Sequence, residues 1–125
     1  MAQYIDGFVF AVPKKNLVAY KKMAKDASIV WRKFGALDYK ECVGDDLNPK
    51  TEGSWKMISF PKMLKVKSTE TIWFSYIVFK SKAHRTMVNK KVMAYFNEKY
   101  KDSKEMPMPF DPKRMAYGGF SVAVG

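Results

Sequence analysis

Thr71-Ile72-Trp73-Phe74-Ser75-Tyr76-Ile77-Val78-Phe79 is the stretch on which the fold turns. Aromatic and β-branched side chains fill it, as a pleated strand prefers, and only Ser75 breaks the apolar run. Successive strand residues point to opposite faces, so this strand is apolar on both and needs cover on both.

Working toward higher numbers, Ser81 stands where a helix N-cap is wanted, and a helix follows to about Asn97. Met87, Val88, Val92, Tyr95 and Phe96 recur at helical spacing and form its expected buried stripe. An irregular segment with Pro107, Pro109 and Pro112 comes next, in which Asp111-Pro112 can open a single helical turn. Residues 117–124 read as the last strand. Gly118-Gly119 near its start has no third glycine, so close backbone packing is preferred to phosphate binding.

Working back, residues 4–12 are a strand stopped by Pro13, with Asp6 and Gly7 interrupting the apolar run. From Asn16, a candidate N-cap, a helix runs to Phe34 with Leu17, Tyr20, Ala24, Ala27, Trp31 and Phe34 on one face. Gly35 stops it, at the position where a left-handed residue is favoured. Residues 37–43 are a strand with Leu37, Tyr39 and Val43 on one face and Glu41 among them. Turn chemistry from Gly44 to Pro49 opens a loop that continues to about Ser54. Residues 55–60 read as a hairpin partner strand, and 61–67 as either a helical turn or an edge extension.

The element order is therefore β-α-β-β-β-α-β. Two strand-helix-strand halves in tandem give an α+β, ferredoxin-like split β-α-β sandwich: one antiparallel sheet with both helices on one face. Helices on one side cannot cover a strand that is apolar on both. A second copy, sheet against sheet, is the simplest cover and predicts a homodimer.

The chain of 125 residues fits a single domain over 1–125, long enough to bury an ordinary core. No run approaches the length of a membrane helix, and the first residues carry an acid where a secretory signal carries positive charge. Cys42 is the single cysteine and His84 the single histidine, so an intramolecular disulfide and Cys- or His-rich metal sites are excluded. A lone thiol with nine methionines suits a reducing cytoplasm.

Lysine and arginine total 23 against 12 acids, a net charge of +11. That balance invites a nucleic-acid partner. The basic residues are spread along the chain, however, and no run exceeds two. They are densest on the first helix, where Lys14, Lys15, Lys21, Lys22, Lys25, Arg32 and Lys33 are met by Asp26 alone. A solvated basic face is preferred to a nucleic-acid groove.

Tyr4-Ile5-Asp6-Gly7-Phe8, Gly35-Ala36-Leu37-Asp38-Tyr39, Glu41-Cys42-Val43-Gly44-Asp45-Asp46 and Ser59-Phe60-Pro61 resemble the YbaA-like family of uncharacterised bacterial proteins. So do Phe79-Lys80-Ser81-Lys82-Ala83-His84-Arg85, Asn89-Lys90-Lys91-Val92-Met93 and the segment from Pro109 to Phe120. The resemblance covers essentially the whole chain in order. It implies a dimeric α/β-barrel, related in shape to small cofactor-free monooxygenases, and it implies no reaction.

Among chemical candidates, Gly44-Asp45-Asp46 has too few oxygen donors for a cation cage and reads as a turn. Asp6 and Glu41 are acids on strands that otherwise read as core, so each needs a partner. Arg114 and Tyr76 are the candidate partners. His84, with Arg85 beside it in the first turn of the second helix, is the default acid-base group, although a structural histidine is the commoner case. Cys42 reads as a small core residue.

Three functions are open on these residues. One is a small-molecule-binding homodimer with Asp6, Glu41, Tyr76, His84, Arg85 and Arg114 as candidate ligand contacts. Another is a cofactor-free monooxygenase or isomerase in which His84 or Asp6 moves a proton. The last is an accessory module that binds nucleic acid or an acidic partner through its basic helix. No metal or cofactor is expected in any of them.

Overall fold

The fold was analysed in a computed structural model, which describes residues 1–48, 56–102 and 108–125. Strand β1 (Tyr4–Pro13) leads through a short 3-10 turn (Lys14–Asn16) into helix α1 (Leu17–Lys33), followed by β2 (Asp38–Val43) and a short helix α2 (Phe60–Leu64). Strand β3 (Glu70–Phe79), helix α3 (Lys82–Lys99), a second 3-10 turn (Pro112–Arg114) and β4 (Ala116–Ser121) complete the chain. The strands form one antiparallel sheet in the order β2-β3-β1-β4. This is the ferredoxin-like arrangement expected from the two strand-helix-strand halves.

Local chemistry sets most boundaries. Gly35 adopts φ 119, a left-handed conformation that a side chain resists, and α1 ends there. The Ser81 hydroxyl accepts the His84 backbone N–H at 3.1 Å and caps α3. The Asp111 carboxylate accepts the Lys113 N–H at 3.0 Å and opens the single turn expected at Asp111-Pro112. Asn16 holds the residue before α1 but caps nothing with its side chain, which donates instead to the Pro109 carbonyl at 3.0 Å.

One expected strand is not formed. Residues 56–59 carry no regular structure, and α2 begins at Phe60; Trp55 lies outside the described residues. Ser59 caps α2 by accepting the Lys62 N–H at 3.2 Å, and Pro61 sits in its first turn. A proline without an N–H fits a helix start and cannot donate to a ladder, so Ser59-Phe60-Pro61 favours helix.

Register fixes the faces. Tyr39, Ile77 and Asp6 stand side by side across β2, β3 and β1, and Gly119 continues the row onto β4. The adjacent row on the same face is Glu41, Ser75, Phe8 and Tyr117. Helices α1 and α3 pack on this face over two core clusters. Phe10, Val12, Tyr20, Ala24, Trp73 and Phe110 make one; Val30, Ala36, Ile77, Phe79, Val88 and Val92 make the other. Val30 widens the buried face read for α1, whereas Met87, expected in the buried stripe of α3, is exposed.

The opposite face carries Ile5, Val9, Phe74, Tyr76, Val78 and Phe120, with Phe74 47% and Phe120 62% exposed in the single chain. β3 is thus apolar on both faces. Helices α1 and α3 cover one; on the other, Leu47 and the α2 residue Phe60 lie over the end at Ile72, which is buried, leaving Phe74 and the rest of the face open. Cys42 belongs to this open face, beside Phe74, and is exposed rather than in the core. β2 is an edge strand, so a residue on its uncovered side meets solvent.

Candidate functional site

Between the two core clusters the sheet and helices separate around a cavity of about 630 Å³. Its floor is the Glu41–Ser75–Phe8–Tyr117 row together with Asp6, Tyr39 and Ile77 from the next row. Tyr20, Ala27 and Trp31 of α1 and Asn89 and Met93 of α3 form the roof, and Phe110 closes one end. Ser75, the lone interruption of the apolar β3 run, is the point where the floor turns polar.

Glu41 is held by phenols. The Tyr20 hydroxyl donates to its Oε2 at 2.9 Å and the Tyr39 hydroxyl to its Oε1 at 2.8 Å. Burial pushes the Glu41 carboxyl above the ordinary glutamate value, a shift that hydrogen bonds from Tyr39, Tyr20 and Ser75 oppose without cancelling. Burial, reinforced by the Glu41 charge, drives both phenols far above the ordinary tyrosine value. They therefore stay protonated and act as donors throughout the physiological range.

Asp6 is 1% exposed on the central strand. Asn89 donates its amide to Oδ2 at 3.4 Å, and Arg85 Nε stands 3.6 Å from Oδ1 in an ion pair. Oδ1 has no hydrogen-bond partner among the described residues. The Asn89 amide is oriented by the Trp31 indole N–H, which donates to its Oδ1 at 3.0 Å; an indole only donates, so this contact fixes which end of the amide faces Asp6. Arg85 lies over the Tyr4 ring, 4.9 Å from its centroid, and donates to the Tyr4 hydroxyl at 3.2 Å. Tyr4 in turn lies over Gly119, where a Cβ would collide with its hydroxyl. Burial first, and then the Asp6 charge, raise the Tyr117 phenol.

Of the residues singled out from the sequence, Asp6 and Glu41 thus share one cavity, with Arg85 behind Asp6. The others lie elsewhere. Tyr76 faces the open side of the sheet, where its ring stands 6.1 Å from that of Phe74. Arg114 forms a two-pronged ion pair with Glu70 at the start of β3 and partners neither cavity acid. His84 is outside the cavity: its Nδ1 accepts the Lys80 N–H at 3.0 Å and its ring packs on Phe79 and against Gly35.

Tyr20, Tyr39, Trp31 and Asn89 were readable only as core or solvent positions, yet they organise both acids. The usable signals were parity and periodicity. Tyr39 is two residues from Glu41 on the same strand face, and Arg85 and Asn89 are one helical turn apart.

A second, outer groove of about 410 Å³ lies between α1 and β2, lined by Lys21, Lys25, Arg32 and Lys40, with Tyr39 and Glu41 forming part of its wall. Asp38 partly neutralises it through ion pairs with Arg32 at 3.2 Å and Lys40 at 2.7 Å. Among the described residues no three His, Cys, Asp or Glu side chains gather as a metal site requires, and no helix is long and apolar enough to cross a membrane.

Comparison with known proteins places these observations. The model of a family described as "Protein of unknown function (DUF1428)" matches residues 3–112. The uncharacterised protein YbaA of Escherichia coli K12 is 40% identical over 122 residues, covering 98% of this chain and 97% of that protein. The YbaA of Shigella flexneri matches with the same figures. Among solved structures, a protein from an uncultured marine organism described as a dimeric ferredoxin-like protein superposes with a TM-score of 0.52. It shares 8% identity, with 98% of each chain covered, so the likeness is one of fold.

Proposed function

The chain belongs to the DUF1428 family of proteins of unknown function, and because that membership brings no reaction with it, we propose from the site itself that the protein is a homodimeric small-molecule binder. The ligand occupies the cavity between the sheet and the two long helices. The observation that carries this reading is the cavity's make-up. About 630 Å³ of mostly apolar and aromatic wall surrounds two carboxylates held in place by committed hydrogen bonds. Largely preformed apolar pockets with a few fixed polar groups are the usual form of organic-ligand sites.

Dimerisation completes the proposal. The open sheet face presents Phe74 and Phe120 to solvent, and the fold neighbour is described as dimeric. A cytoplasmic setting belongs to the same reading, since the exposed Cys42 thiol persists best where disulfides are kept reduced.

One observation favours a second reading, a cofactor-free enzyme. Burial raises the Glu41 carboxyl toward the range where an acid can exchange a proton near neutrality, which makes Glu41, rather than His84 or Asp6, the group to move it.

A thermal-shift screen of a broad metabolite library tests the binding reading, run on the wild type and on Ala27→Trp, which fills the roof of the cavity. Hits that stabilise the wild type and not the filled variant support it. An absence of hits, or equal stabilisation of both proteins, overturns it.

A further inference from the structure

We propose that the ligand of this cavity is an organic cation: an amine on an aromatic or extended aliphatic body, its ammonium group received by Glu41. The inference rests on the cavity being a ligand site and goes on to name the chemistry it selects.

Charge is the first argument. The chain carries 23 Lys and Arg, yet among the described residues none that lines the cavity is Lys, Arg or His. Its two ionisable carboxylates are not equivalent. Asp6 has its counter-charge in Arg85. Among the described residues Glu41 has only neutral hydroxyls for partners, those of Tyr20, Tyr39 and Ser75, and no Lys or Arg is in ion-pair contact with it. A negative charge partly buried among apolar and aromatic groups is costly until a cation joins it, and a cation arriving there gains more than it would in water.

Hydrogen-bonding capacity is the second. Carboxylates only accept, and the donors around Glu41 are turned toward it or toward each other: Tyr20, Tyr39 and Ser75 to Glu41, Trp31 to Asn89, and Asn89 to Asp6, while the Tyr117 hydroxyl stands at the Asp6 end. Spare lone pairs on Glu41 are left over; the Oδ1 of Asp6 is itself buried, facing Arg85. Asp6 and Glu41 are two strands and one row apart, about 12 Å between Cα atoms by ladder spacing, and the Asp6 oxygen is buried, so the ammonium meets Glu41 alone. A carboxylate or phosphate ligand would find acceptors where it needs donors.

The aromatic wall is the third. Tyr39, Trp31, Tyr20 and Phe8 present rings around the Glu41 end, and ring faces attract cations. The net charge of +11 works the other way, drawing anions to the protein in general. Preference for a cation would therefore have to come from the site itself.

Three isosteric probes decide the matter on the full-length protein by isothermal titration calorimetry: 2-(1-naphthyl)ethylamine, 2-(1-naphthyl)ethanol and 1-naphthylacetate. The expected result is the amine binding about tenfold tighter than the alcohol, with the acetate weakest. Glu41→Gln, checked for unchanged circular dichroism, should erase the advantage of the amine and leave the alcohol within about twofold of its wild-type affinity. Acetate binding as tight as the amine overturns the proposal, as does an amine preference that survives in Glu41→Gln. In either case, probe binding abolished by Ala27→Trp leaves the ligand-site reading standing. Silence from all three probes also overturns the cation proposal, and the library screen then decides the ligand site separately.

Discussion

Arg85 Nε stands 3.6 Å from Asp6 Oδ1, and this pair ties the first turn of α3 to the central strand of the sheet. The arginine is the only counter-charge to a carboxylate that is 1% exposed among the described residues. Arg85→Met should therefore cost about 3–5 kcal/mol, as removal of one member of a buried pair does. The double variant Asp6→Asn/Arg85→Met should regain at least half of that loss, because no unpaired charge is left. Urea denaturation of the four proteins in the cycle measures both quantities; additive losses would show that the pair is not coupled.

The raised Glu41 carboxyl has a consequence for stability against pH. The folded state holds this proton more tightly than the unfolded chain, so Glu41 favours folding less as pH rises from about 4.3, the ordinary glutamate value, through its own higher one. Below that window the group contributes no such penalty. Glu41→Gln should thus gain stability relative to wild type as pH climbs through the window, staying within about 1 kcal/mol of wild type at the acid end. Denaturant midpoints taken from pH 4 to pH 8 test the sign, and a difference that does not change with pH would refute it.

Gly119 lies under the Tyr4 ring, whose hydroxyl is fixed by Arg85. Gly119→Ala places a methyl group against that ring and should cost about 1–3 kcal/mol, the usual range for overpacking. The same substitution in a Tyr4→Leu background should cost clearly less. Melting temperatures of the two pairs make the comparison, and equal losses would mean that strand geometry, not Tyr4, sets the cost.

On the open face, Phe74→Glu should convert the proposed dimer to a monomer in sedimentation velocity at micromolar concentration. Met87→Glu, on an exposed position of α3, should leave the association unchanged. A monomeric wild type would remove the sheet-on-sheet assembly outright.

Much of the architecture was legible because its determinants are local. The apolar run of β3, Gly35 after α1 and Ser81 before α3 each specify an element without reference to distant residues. The two acids that line the cavity were legible as unusual, since Asp6 and Glu41 each sit where an apolar side chain was expected. Their partners were not. Arg114 and Tyr76 were compatible by charge and proximity in the strand order, but Tyr76 has the opposite parity to Ser75 and so faces away from Glu41. Choosing Arg85 and Asn89 for Asp6 requires the rotation of α3 over the sheet, which non-local packing sets. The extra strand failed for the converse reason: its apolar residues outweighed the cap-and-proline signal at Ser59-Phe60-Pro61, and the local signal proved decisive.

β1 lies between β3 and β4, so Tyr4 pairs with Phe79 on one side and with Ser121 on the other. During synthesis this strand is made before both of its neighbours and has to wait for them with both hydrogen-bonding edges bare. Pairings across such sequence separations close slowly. Asp6 waits as well, since neither Arg85 nor Asn89 exists when it leaves the ribosome. A nascent chain halted before β4 would expose a half-paired strand with a carboxylate near its start.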